Sequence, residues 1–258
     1  MIDTHCHIDD EQYQADLPSF IRLQQEGGVQ AMIVPGVNVA SIEPVRRVCE
    51  QFPGYLYPAI GLHPEEVKED YQSQLDILHQ ALITQNSSLS PYIAVGEIGL
   101  DYHFDTTYMT EQQDALRQQL QWAINLDLPV LIHSRDATEH TLTMLSEYPA
   151  CRGIMHCFSG SNEVAKQVVK MGLYLGIGGV ITFKNCKLRF NLTDIPLQRI
   201  VLETDAPYMA PVPFRGQPNQ SRWMNYVVDV LAEVYHSSPE HVIEVTTENA
   251  KTIFGLKV

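Results

Sequence analysis

Short apolar runs rich in β-formers, each bounded by turn residues, recur through the chain and predict strands. They cover Ile2 to Ile8, Val29 to Val37, Tyr55 to Leu62, Tyr92 to Leu100, Pro129 to His133, Gly153 to Cys157, Leu173 to Ile177 and Ile200 to Thr204. Helical periodicity fills the intervals. Asp16 is placed to cap a helix through Leu17, Phe20, Ile21 and Leu23 that stops at Gly27–Gly28. Ser41 opens a second through Ile42, Val45, Val48, Cys49 and Phe52, ended by Pro53–Gly54. Thr110 and Gln113 have capping-box spacing before Leu116, Leu120, Ala123 and Ile124. Ser161 precedes Val164, Val168 and Met171, closed by Gly172, and Ser238–Pro239 begins a last helix with Val242, Val245 and Ala250.

Alternating strand and helix signals predict a parallel sheet. Eight runs in 258 residues leave about 32 residues apiece, the size of a βα unit. That number favours a closed (β/α)8 TIM-type barrel, a single domain over residues 1–258, above an open doubly wound sheet. No Gly-rich phosphate loop follows the first run, which counts against a dinucleotide-binding fold.

Composition narrows the function. With 45% hydrophobic and 19% charged residues the chain is globular, neither disordered nor fibrous, and no apolar run is long enough for a membrane span. The opening MIDTHCHIDD lacks the basic and apolar regions of a secretion signal, and five cysteines without framework spacing suit a reducing cytoplasm. The net charge of −14 denies the chain a broad positive footprint for nucleic acid. Bound cations would supply positive charge locally, so chemistry on phosphate is still open.

In the first run, His5 and His7 share one face by the period-two rule while Cys6 points away. Alone, such a pair reads as polar strand residues beside water. The pattern repeats, however: His63, Glu97, His133, His156 and Asp205 each stand at the end of an apolar run. In a barrel those ends form the mouth where active sites lie, and buried ionisable groups there need partners or metal. His5, His7 and Asp205 suit one ion and His133 with His156 a second, with Glu97 bridging them in a shared dinuclear centre. Asp205 also suits the general base that takes a proton from water, with Glu97 as its catalytic companion.

These residues resemble the TatD family of metal-dependent deoxyribonucleases, within the amidohydrolase-like barrels. The resemblance runs through IDTHCHID, GLHP, VGEIGLDY, LIHSRDA, HCFSG, ETDAPYMAP and TTENAKTIFGL, in family order. It implies metal ligands at His5, His7, Glu97, His133, His156 and Asp205, with magnesium, manganese or zinc as the two divalent ions. It implies hydrolysis of DNA phosphodiesters, often from the 3′ end. One segment departs: the family's RG-x-x-N-x-P reads RGQPNQS here, so Arg215, Gly216 and Asn219 match while Ser221 stands at the proline.

Around this set, His63 is read as a substrate contact or a rim histidine. Arg135 is read as a bidentate phosphate ligand or the partner of Asp136 or Glu139. Asp101 is read as orienting a ligand histidine, or as capping a turn. Lys184 and Arg215 read as solvated, Tyr102, Phe104 and Tyr208 as packing residues, and Cys157 as a buried thiol facing away from the site. The expected partners are DNA ends or another phosphoester, with no membrane and no obligate protein partner. Two rival readings stand. One is hydrolysis of a small cyclic amide or lactone on the same dinuclear site, where many such barrels use a carboxylated lysine on the fourth strand; Glu97 in a run without lysine argues against it. The other is a non-catalytic module, which retention of all six donors disfavours.

Overall fold

The computed structural model describes residues 1–85 and 91–258. Its strands are β1 (Ile2–Asp3), β2 (Ala31–Val34), β3 (Leu56–Ile60), β4 (Ala94–Asp101), β5 (Val130–Arg135), β6 (Gly153–Met155), β7 (Tyr174–Ile177) and β8 (Ile200–Leu202). Helices alternate with them, and the fold class is the (β/α)8 TIM-type barrel. No helix among the described residues is long and apolar enough to cross a membrane. By their contacts the residues divide into two compact units, 1–34 with 156–258, and 35–155.

In the first unit β1 pairs parallel with β2 (Ile2 opposite Ala31) and β7 with β8 (Leu175 opposite Ile200). Every residue of β1 and β2 is buried, and β2 has the continuous apolar signature of a strand covered on both faces. β1 is shorter than the run that predicts it, because past Asp3 the chain bends and bonds to both neighbours. Cys6 N donates to Ile33 O (3.1 Å), and His7 N to Ala206 O (2.8 Å). Asp16, Ser161 and Ser238 cap helices Leu17–Glu26, Asn162–Lys170 and Pro239–Phe254 with their side chains, as the sequence predicts. The last of these ends on Gly255, whose φ of 66° is the left-handed turn that glycine permits.

In the second unit β3 to β6 pair in order, all parallel, with Gly99 opposite His133. A Cβ at Gly99 would collide with the His133 carbonyl, so this register needs glycine. Two caps differ from prediction. The side chain of Asn38, not Ser41, caps the chain entering helix Ile42–Gln51, through a 3-10 turn (Val39–Ser41), while Ser41 Oγ turns back to accept from Val37 N (2.9 Å). Helix Met109–Asn125 starts from Tyr108 with no side-chain cap, which puts Thr110 inside its first turn.

That start brings two buried glutamines, two helical turns apart, onto one face. Gln112 accepts from Asp101 N (2.9 Å) and donates to Asp101 O (3.0 Å). Gln119 does the same for Leu62, at 2.7 and 3.2 Å. Backbone groups at the ends of the β3 and β4 runs, which would otherwise be buried unpaired, are thereby satisfied beside the candidate site.

Candidate metal centres

The first unit gathers His5, His7, His156 and Asp205. The rings of His5 and His156 stack at 4.0 Å between centroids, and His7 meets His5 edge-on at 5.2 Å. His5 Nε2 and His7 Nε2 lie 3.8 and 3.6 Å from Asp205 Oδ1. One donor atom each from His5, His156 and Asp205 falls within a 4.8 Å span. These two distances to Oδ1 exceed a hydrogen bond and approach the roughly 3–3.5 Å between ligands that share a cation about 2.0–2.2 Å away. Two imidazoles packed face to face are compatible with neutral rings, the form that binds metal. The donor chemistry therefore fits a divalent ion.

Backbone and buried acids hold this set. Asp205 N donates to His5 O (2.9 Å), and Asp205 itself takes a left-handed φ of 56°, which aspartate tolerates better than most residues. Burial would raise its carboxyl, but the bond to His7 and the neighbouring imidazoles of His156 and His5 hold it below the usual range. Asp3, fully buried, accepts from His5 N (3.2 Å), Thr204 N (3.0 Å) and Thr204 Oγ1 (2.6 Å). Asn219, which matches the family segment, donates through Nδ2 to Thr204 O (2.8 Å).

Glu203 is the acid that sequence reasoning passes over. Its carboxylate is buried, accepts from Cys157 N at 2.5 Å, and comes within 3.8 Å of His156 Nδ1. Burial pushes its carboxyl up to about 8. A Cβ at Gly176 would collide with Oε2, so the glycine makes room for it. The period-two rule that pairs His5 with His7 also pairs Glu203 with Asp205, a signal present in ETDAP. Cys157 departs from expectation. β6 ends at Met155, strand alternation does not reach the thiol, and the residue is half-buried with a left-handed φ of 46°.

The second unit gathers His63, Glu97 and His133, again with one donor atom each within a 4.8 Å span. Glu97 is buried, and its Oε1 lies 2.9 Å from His133 Nδ1 and 3.2 Å from His63 Nε2. His133 Nε2 donates to Asp101 Oδ2 at 2.8 Å, the orienting contact read from the sequence, which directs the other ring nitrogen to Glu97. Burial opposes charge on His133, but the bonds to Asp101 and Glu97 outweigh it and lift the imidazole to about 9 without metal. His63, read from sequence as a substrate contact, stands in the donor set. Its Nδ1 accepts from Glu65 N (3.1 Å), leaving Nε2 toward Glu97.

Arg135 is exposed at the end of β5 and lies over the Phe104 ring at 4.6 Å. Asp136 pairs with His103 (2.6 Å), and is thus engaged elsewhere than in the ion pair with Arg135 weighed from sequence. Phe104 and Tyr208 are largely exposed, whereas the Tyr102 hydroxyl accepts from Gln113 at 3.2 Å. The Arg215 guanidinium lies over Phe183 at 4.2 Å.

Imidazole–carboxylate sets at the strand ends of a (β/α)8 protein are the donor chemistry that metal-dependent hydrolytic enzymes use. More narrowly, the chain belongs to the TatD related DNase family, whose model matches residues 2–255. It is similar to the uncharacterized metal-dependent hydrolase YabD of Bacillus subtilis, 38% identical over 259 residues and 99% of both chains. It is also similar to the crystal structure of YjjV, a TatD homologue from Escherichia coli, at 33% identity and a TM-score of 0.92, covering 100% of this chain and 98% of that one. A TatD family hydrolase from Entamoeba histolytica, 19% identical, shares the fold with a TM-score of 0.87 over 100% and 98% of the two chains. The chain is accordingly a metal-dependent hydrolase with candidate metal-binding clusters among its described residues.

Proposed function

We propose that this hydrolase cleaves phosphodiester bonds at DNA ends, removing nucleotides from the 3′ side, in a reducing cytoplasm and as one 258-residue domain. Each donor set holds one divalent ion, magnesium, manganese or zinc. The observation that carries the reading is the buried Glu97, a carboxylate donor on a β4 that has no lysine. It favours the phosphodiesterase branch of these barrels over the branch acting on cyclic amides and lactones. Bound divalent ions supply Lewis-acid polarisation of a phosphoryl oxygen and lower the pKa of water.

The chain's own residues do the rest. Asp205, held as carboxylate at neutral pH by the surrounding histidines, accepts the proton of the attacking water. His5, His7 and His156 supply its nitrogen neighbours. Asp101 fixes the ring of His133, and Glu97 joins His133 and His63 as donor. Arg135, exposed at the end of β5, offers a two-pronged contact to a substrate phosphate.

The test uses chelator-cleaned protein reloaded with defined metals and single-stranded DNA labelled at either end. Shortening from the 3′ side, about two ions per chain, and loss of turnover in a folded Asp205→Ala variant are expected. Intact DNA together with turnover of a lactone or dihydropyrimidine panel would install the rival reading.

A further inference from the structure

Phe104 is 70% exposed, an unusual position for a phenylalanine, on a loop that is braced and not loose. Asp101 Oδ1 accepts from His103 N (2.8 Å), and Asp105 Oδ1 from Thr107 N (2.8 Å). The ring itself is pinned by the Arg135 guanidinium at 4.6 Å and by a T-shaped contact with His103 at 4.6 Å between centroids. A cavity of about 210 Å³ opens beside it, walled by Glu65, Lys68, Asp101, Asp105 and Tyr108.

This cavity abuts the second donor set along two lines. Asp101, in its wall, receives His133 Nε2, and Glu65, also in its wall, donates its N–H to His63 Nδ1. Its size is below the roughly 300–1,000 Å³ of sites that enclose a drug-sized ligand, and suits one planar ring system. Three acidic residues and a single lysine line it, the lysine drawn over the Tyr108 ring at 5.6 Å. A phosphate is repelled there. A neutral heterocycle is not: its face finds an aromatic ring, and its exocyclic N–H groups find carboxylate acceptors.

We propose that this cavity is a nucleobase site, in which a base of the substrate strand stacks on Phe104 and directs its amino group to Glu65 and Asp105. The proposal rests on the nucleic-acid reading above and assigns the base contact to a different place from the phosphate chemistry. Adenine, cytosine and guanine, which carry exocyclic amines, fit it better than thymine.

The test is fluorescence anisotropy at low salt on metal-free, full-length protein, so that no hydrolysis is needed. The probes are a fluorescein-labelled oligodeoxyadenylate and an abasic chain of the same length. Stacking of one base predicts that Phe104→Ala and Phe104→Leu weaken adenylate binding about 5- to 150-fold, while Phe104→Trp retains it. The abasic chain should bind the wild type and all three variants alike. Because the side chain is mostly exposed, these variants fold. Equal adenylate affinity in the wild type and the alanine and leucine variants would overturn the site, as would an abasic chain bound as tightly as adenylate by the wild type. Phe104-dependent binding by a protein that leaves DNA intact when metal-loaded would refute the nuclease reading and retain the base site.

Discussion

Asp3 has no place among the metal donors, yet replacing it with alanine should cost more stability than a typical single substitution. Alanine strands three buried donors, His5 N, Thr204 N and Thr204 Oγ1. At about 1–3 kcal/mol for each unsatisfied group, the gross loss is roughly 3–9 kcal/mol. One saving opposes it. Burial raises the Asp3 carboxyl from 3.8 to about 6 despite those bonds, so keeping it ionised at pH 7 costs about 3 kcal/mol, a cost alanine removes. The net expectation is a loss of about 0–6 kcal/mol, centred near 3. Asparagine keeps an acceptor for the two backbone donors and has no charge to bury, so its loss should stay within about 1–2 kcal/mol. The sign with pH follows from the same shift. The folded chain retains a proton that the unfolded chain has released, so this group's contribution is full below pH 3.8 and declines as pH rises through about 6. Urea denaturation of metal-free protein across that window measures both effects, without ligand linkage. An alanine variant as stable as wild type at pH 7, or more stable, would refute the hydrogen-bond accounting. An asparagine variant that keeps the full pH slope would refute the titration.

Three further substitutions probe other contacts. Asp101→Asn removes a charge that lifts His133, so the alkaline loss of stability in metal-free protein as pH rises through about 9 should shrink; metal affinity by calorimetry should fall about 10- to 100-fold, and unchanged affinity would dismiss the orienting role. Gly176→Ala drives a methyl into the Glu203 carboxylate and should cost about 1–3 kcal/mol in thermal denaturation; an unaltered Tm would contradict the close approach. Ser221→Pro restores the family's residue at the first position of a 3-10 turn, after Gln220 in the extended conformation (φ −145°, ψ 139°) that precedes proline readily. It should stabilise by about 0.4–1 kcal/mol, and a lowered urea midpoint would show that the Ser221 N–H or hydroxyl is needed.

The strand-end polar residues were legible because each interrupts an apolar run, a signal confined to a few neighbouring positions. His5, His63, Glu97, His133, His156 and Asp205 all announce themselves this way. The residues that hold them do not. Gln112 and Gln119 look like ordinary polar positions on a helix until their bonds to Asp101 and Leu62 are known, the latter 57 residues away. Asp3 and Thr204 meet across 201 residues, beyond any local period. Helix starts failed for a local reason: Asn38 and Ser41 both cap well by composition, and only the 3-10 turn between them decides which does. Phe104 was misjudged because aromatic residues usually pack, and nothing in its neighbours reveals that its loop turns it outward.

The two donor sets also differ in when they can exist. His63, Glu97 and His133 come from one uninterrupted stretch, inside the 35–155 unit, so all three have left the ribosome before half the remaining chain is made. The other set must wait for Asp205, 72 residues beyond His133, a lag on the order of 4–14 s at ordinary elongation rates. A nascent or truncated chain can thus present one set of ligands to the cell's metal pool long before it possesses the other, and cannot become a complete enzyme by way of its amino-terminal half alone.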